Sequence, residues 1–206
     1  MNIIIHPTYF PSIAHFVAMA KSETVCLEVE DNFIKQTYRN RAYIYGANGK
    51  ISLNIPVVYS QKNRQQYRDV KVFNEDKWQA NHWKSLLSAY STSPFFEYYA
   101  DELQPLFTEK VEFVLDFNLK CFETVCDCLQ LDLNLSKTTV FEKEIEHKVD
   151  FRPLVNAKKE QPQQFDMYTQ VFSNKHGFIS NLSILDLLFN EGPNAVNYLE
   201  SQTVTL

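Results

Sequence analysis

The chain opens on an apolar run, Ile3-Ile4-Ile5, that stops at His6-Pro7. Proline has no N–H to give a ladder, so a short buried strand must end there. Ser12 follows as a candidate N-cap, and Ile13, Phe16, Val17 and Ala20 share one helical face before the apolar stretch 25–29. This strand, helix, strand order favours a parallel pair with a right-handed crossover. In such sheets ligands bind beyond the carboxyl ends of the strands, near helix N-termini. His6, Thr8, Tyr9 and His15 fall in that place, where a purely structural turn would more often use Gly or Asn.

Further along, the polar segment 30–41 reads as a loop leading into a strand over 42–45, and Asn48-Gly49 signals a hairpin to a second strand over 51–59. Pro56 marks that strand as an edge or a bulge. A polar loop is expected over 61–68, carrying Lys62, Arg64 and Arg68, and a strand over 69–73. The middle predicts helices: one capped by Asp76 and running to Tyr90, one starting at Ser93-Pro94, and one over 108–129. Leu131, Leu133 and Leu135 alternate with polar residues as in a strand, and 156–164 is a polar linker or lid. Ser183 and Asp186 have capping-box spacing ahead of a nearly all-apolar helix that Gly192-Pro193 ends.

With 206 residues and 45% hydrophobic content, the chain suits one globular domain over 1–206. Only 4 glycines, all scattered, leave no Gly-rich phosphate loop. The net charge of −5 argues against nucleic acid as a partner, because no basic excess drives counterion release. No stretch approaches the ~18 apolar residues of a membrane span, and the start lacks signal-peptide features, so a cytoplasmic location is expected. Cys121, Cys126 and Cys128 fall in one predicted helix, where they project in different directions; core packing is expected there, as for Cys26, and no structural metal. No cofactor follows from the motifs.

Among candidate chemical groups, His6 and His15 lie nine residues apart at a strand end and a helix start, so one of them could serve as a general base if they meet. Lys35, Arg39, Asn40 and Arg41 offer donors for a carboxylate or phosphate, and alternation would put Arg39 and Arg41 on one side of a strand as a fork. Trp78 and His82 are neighbours on a helix face, suited to a stacked sugar or base, with core packing the commoner use. Ser183 heads a helix whose N-terminus could take an anion. Glu30 and Asp31 could supply a carboxylate near the end of the second strand.

Taken together these segments resemble the WbqC-like family of bacterial proteins. The resemblance rests on Pro7-x-Tyr9-x-Pro11 with Phe16, Lys35 with Asn40-Arg41, Trp78 with His82 and Tyr90, Pro94-x-Phe96, and the closing run from Leu182 to Leu188. It implies a setting in O-antigen and other surface-polysaccharide assembly, and a transferase role, with an activated sugar or amino-acyl donor as the small-molecule partner. A non-catalytic nucleotide- or glycan-binding role in the same pathway is the contrasting expectation. The opening turn is also similar to the nucleotidylyltransferase signature of paired histidines, of which only the second, His15, is present. The expected architecture is therefore a single-domain α/β fold with a Rossmann-like N-terminal strand-helix-strand unit and a largely helical middle.

Overall fold

In the computed structural model, which describes residues 1–58 and 64–206, four short strands lie side by side in one parallel sheet. They are β1 (Asn2–Ile5), β2 (Thr24–Leu27), β7 (Leu135–Lys137) and β8 (Val149–Asp150), in the spatial order β7-β2-β1-β8. Numbered along the chain, that order is third, second, first, fourth, which matches four neighbouring strands of the classic doubly wound order. Helix α1 (Ile13–Ala20) connects β1 to β2, whose register pairs Asn2 with Thr24 and Ile5 with Leu27. Ile3, Ile5, Val25 and Leu27 point into the main core, and Ile4 and Cys26 are buried on the opposite face. Such double burial produces the continuous apolar run. Each of these side chains contributes about 1.5–3 kcal/mol relative to exposure.

Between β2 and β7 the chain inserts a hairpin and the helical layer. β3 (Arg41–Gly46) and β4 (Gly49–Asn54) pair antiparallel, with Ala47 and Asn48 as the two turn residues. The turn is thus one residue earlier than the Asn-Gly signal places it. Gly49, at φ +103, closes it in a conformation that suits glycine. Pro56 does interrupt the predicted second strand: β4 stops at Asn54, and β5 (Val57–Val58) pairs instead with β6 (Lys71–Val72). Tyr59 and positions 61–63 of the expected strand and loop lie outside the described residues.

Helices α2 (Trp78–Tyr90), α3 (Phe96–Leu103) and α4 (Val114–Leu129) form the middle layer, and α6 (Ile184–Glu191) and α7 (Ala195–Ser201) pack on α1. A single short turn, α5 (Ser173–His176), precedes α6. Several predicted boundaries move. Lys77, not Asp76, precedes α2; Ser93 donates to the Tyr90 carbonyl (2.7 Å) in the turn before α3; and 108–113 is not part of α4. The alternating leucines enter a strand only at Leu135, and β8 emerges from a segment whose polarity hides it. Cys26, Cys121 and Cys126 are buried, all four cysteines are free, and burial pushes the Cys126 thiol up to about 12. Among the described residues no helix is long and apolar enough to cross a membrane.

Candidate functional site

All four parallel strands end on the same edge of the sheet, and each delivers a polar residue there: His6 after β1, Glu28 after β2, Thr138 after β7, and Asp150 with Arg152 at the end of β8. Strand order reverses between β1 and β8, the position at which open α/β sheets place their ligands. Glu28 Oε1 accepts from Thr138 Oγ1 (2.8 Å) and from the Glu30 amide (2.9 Å), and its Oε2 lies 3.6 Å from Arg152 Nη1. Arg152 grips Asp150 through Nε (2.9 Å) and Nη2 (2.7 Å) and donates to the carbonyls of Glu142 and Lys143. Burial alone would raise the Asp150 carboxyl, but the Arg152 side-chain and backbone donors hold it below the usual range.

Beside this network His6, Asp31 and Arg39 form a triangle. His6 Nε2 lies 2.9 Å from Asp31 Oδ2 and 2.7 Å from Arg39 Nη2, and Arg39 Nη2 donates to Asp31 Oδ2 at 2.6 Å. One nitrogen cannot serve both neighbours. With a proton on Nε2 it donates to Asp31 and leaves Nδ1 as a bare lone pair; without one it accepts from Arg39 and Nδ1 becomes the donor. Burial, then the Arg39 charge, lowers the His6 imidazole to about 4, against the raising effects of Asp31 and of the Arg152 backbone, which lies close to the ring without reaching good hydrogen-bond geometry. His6 Nδ1, Thr8 Oγ1, and Arg39 Nε and Nη1 are buried with no hydrogen-bond partner. Buried polar groups normally find partners, so these atoms point to a ligand or to water.

The second histidine comes from α1. His15 Nδ1 is 2.8 Å from Ser12 Oγ, and its Nε2 is buried without a partner. Burial, then repulsion from the nearby His6, lowers this imidazole to about 3. The Tyr38 ring meets it edge-on, 5.7 Å between centroids, and the Tyr38 hydroxyl donates to Glu160 (2.5 Å), which also accepts from Asn181 Nδ2 (2.6 Å). Beyond Glu160, at the predicted polar segment 156–164, lies a surface cleft of about 230 Å³ lined by Pro153, Asn156, Lys159 and Asn181.

The helix start that carries His15 is capped from a distance. Ser12 is the N-cap of α1 but makes no side-chain cap bond; the Ile13 amide donates to the Leu182 carbonyl (2.9 Å), and the Ala14 amide to Asn181 Oδ1 (2.9 Å). In return the first amide of α6, at Ile184, donates to the Pro11 carbonyl (2.8 Å). The two helices therefore cap each other. Between them Phe10 holds φ +38, a region that an aromatic residue rarely occupies, with its carbonyl fixed by the Ser183 hydroxyl (3.0 Å).

The remaining sequence candidates are distributed as follows. Ser183 caps α6 through the Leu185 amide (3.3 Å), and the amides of Ile184, Leu185 and Asp186 all have protein acceptors, so this terminus offers no anion site. Asp186 does not complete a capping box; it turns into the core to accept from Tyr90, Tyr168 and Gln170. Arg41 lies along the hairpin, donating to Asn54 Oδ1 (2.9 Å), so the Arg39/Arg41 fork is not formed: Arg39 precedes β3 and strand alternation does not apply to it. Asn40 binds the Ile55 carbonyl (3.2 Å), and Lys35 is exposed on the preceding loop. Trp78 and His82 are buried together (5.2 Å between rings), with His82 Nδ1 2.8 Å from the Tyr9 hydroxyl, so both rings and Tyr9 belong to the core.

Sequence reasoning missed Glu28, Asp150, Arg152 and Tyr38 as members of the site. The only legible signal was position: Glu28 and Asp150 sit at or next to strand ends, but β7 and β8 are too short and polar to be read as strands. A family model described as the WbqC-like protein family matches residues 6–160 and 155–198. Over 222 aligned residues, 95% of this chain and 96% of the relative, the chain is 24% identical to Rv1507c, an uncharacterized protein of Mycobacterium tuberculosis. No solved structure matches the chain significantly.

Proposed function

The chain belongs to the WbqC-like protein family, and on that premise we propose that it is a group transferase of bacterial surface-polysaccharide assembly acting on an activated sugar or amino-acyl donor. The observation that carries this reading is the pair of buried imidazoles, each held through one nitrogen and each with its second nitrogen unpartnered, next to a buried guanidinium with two unpartnered nitrogens. An anionic part of the donor fits Arg39 Nε or Nη1, each an unpartnered donor of a buried guanidinium able to give a charge-assisted hydrogen bond to a carboxylate or phosphate oxygen. His6, with Asp31 on Nε2, then takes the proton from the incoming hydroxyl or amine at Nδ1. The Arg39 charge helps to keep this imidazole low, so an anion bound to Arg39 raises its basicity toward the working pH.

The test is a thermal-shift screen against nucleotide-sugars and acyl and aminoacyl donors, followed by turnover with hydroxyl and amine acceptors. Transfer that persists in both His6→Ala and His15→Ala refutes the catalytic assignment. A second reading, a binding or assembly protein, is favoured by one observation: His6, Thr8, His15 and Arg39 are all buried. Donor binding without turnover for any acceptor would establish it.

A further inference from the structure

An N-cap serine ordinarily accepts a hydrogen bond from the second or third amide of its helix. In α1 that arrangement is absent. The Ala14 amide is taken by Asn181 Oδ1, 167 residues away, and the His15 amide by the Ser12 backbone carbonyl at 3.0 Å. The Ser12 hydroxyl is left with one side-chain neighbour, His15 Nδ1 at 2.8 Å, and it is buried. Two proton arrangements fit that contact. If Nδ1 carries the proton, the serine hydroxyl hydrogen has no acceptor and the bare Nε2 has no donor, giving two unmet groups in the interior. If the serine donates, its oxygen lone pairs and the Nε2–H are unmet, and Nε2 is buried, as are the unpartnered groups of His6, Thr8 and Arg39. Each arrangement leaves one donor and one acceptor unmet within the protein, but only the second presents a donor at Nε2 to an acceptor atom of a ligand.

We propose that Ser12 is a positioning residue whose hydroxyl donates to His15 Nδ1, fixing the neutral ring as the Nε2–H tautomer that donates a hydrogen bond to a ligand oxygen gaining negative charge during transfer. This divides the work between the two rings. His6, next to Asp31, handles the proton of the acceptor, while His15, with no carboxylate on either nitrogen, stays uncharged and acts as a fixed donor. A neutral imidazole aimed at a developing oxyanion stabilises it with little reorganisation at the moment of reaction. The inference rests on the transferase reading, but the tautomer itself can be measured without any substrate.

The experiment is long-range proton–nitrogen NMR on the uniformly nitrogen-15-labelled full chain at neutral pH, with His15 assigned by comparison with His15→Gln. The wild type is expected to show His15 as a single neutral Nε2–H species. Ser12→Ala should lose that single-species pattern, and Ser12→Thr, which keeps a hydroxyl, should restore it. Because Asn181 and Leu182 supply the cap bonds of α1, Ser12→Ala is expected to fold. An Nδ1–H signature or a mixed population in the wild type overturns the proposal, and so does an unchanged signature in Ser12→Ala. A correct tautomer with no turnover of any donor would instead refute the transferase reading alone.

Discussion

Replacing Asp31 with alanine removes the only carboxylate among the described residues that is hydrogen-bonded to Arg39, whose side chain is 1% exposed. Breaking a buried ion pair from one side costs about 3–5 kcal/mol, because the surviving charge is left uncompensated. Asp31 itself is 17% exposed, and Arg39 keeps two softer contacts, His6 Nε2 at 2.7 Å and the Tyr67 ring at 5.5 Å. We therefore expect a loss of roughly 2–3 kcal/mol, equivalent in a chain of this size to about 5–10 °C in Tm. Urea unfolding followed by circular dichroism measures it. Arg39→Met in the Asp31→Ala background should recover part of the loss, with a coupling of at least about 1.5 kcal/mol in the double-mutant cycle. Burial would raise the Asp31 carboxyl, but the His6 and Arg39 contacts hold it below its ordinary value. Its contribution is accordingly present above about pH 4 and fades as pH falls further, so variant and wild type should converge in acid. A single-variant loss under about 0.5 kcal/mol, or strict additivity in the cycle, would refute the argument that Asp31 neutralises a buried Arg39.

Acid sensitivity should begin well above the carboxylate range. Burial lowers His6 and His82 to about 4 and His15 to about 3, so unfolding takes up protons as pH falls below about 6.5; burial raises Asp186 to about 6, which works in the opposite sense as pH rises from about 4. Near pH 5 the net uptake is about two protons, a slope of about 2.7 kcal/mol per pH unit, and Asp186→Asn should steepen it; a flat stability between pH 5 and pH 6.5 would contradict these shifts. Asn181→Ala, which deletes the acceptor of the Ala14 amide, should cost about 1 kcal/mol by urea unfolding, more than Ser12→Ala, and equal losses would argue against the distant cap. Gly192→Ala, at the buried end of α6, should cost about 1–3 kcal/mol in the same assay, because a Cβ at φ +51 would sit 2.6 Å from the Phe95 ring.

Much of the N-terminal half was legible. The run Ile3-Ile4-Ile5 is apolar at every position because both faces of β1 are covered, Pro7 ends it, and the 3.6-residue spacing of Ile13, Phe16 and Val17 defines α1. Asn48-Gly49 located the hairpin to within one residue. The errors have physical causes. Asp76 and Ser93 are good capping residues by type, yet both stand outside the helices they were expected to start. Asp186 has capping-box spacing, but two tyrosines and a glutamine compete successfully for its carboxylate. β7 and β8, with three and two residues, are too short for any periodicity to show.

What the sequence determined by itself was local: where β1 stops, where α1 begins, and that two histidines flank that turn. Propensity, capping chemistry and apolar spacing act over a few residues, and they are sufficient for that. The tertiary structure decided which groups meet. Asp31 and Arg39 reach His6 across 25 and 33 residues, Asn181 frees Ser12 from its capping duty across 167, and β8 carries Arg152 to the carboxyl edge of a sheet whose first strand lies at the other end of the chain. Such contacts depend on the order in which strands pack, which no local pattern encodes. Burial then sets the chemistry, because imidazoles that would titrate near neutrality in water are held uncharged once the fold closes over them.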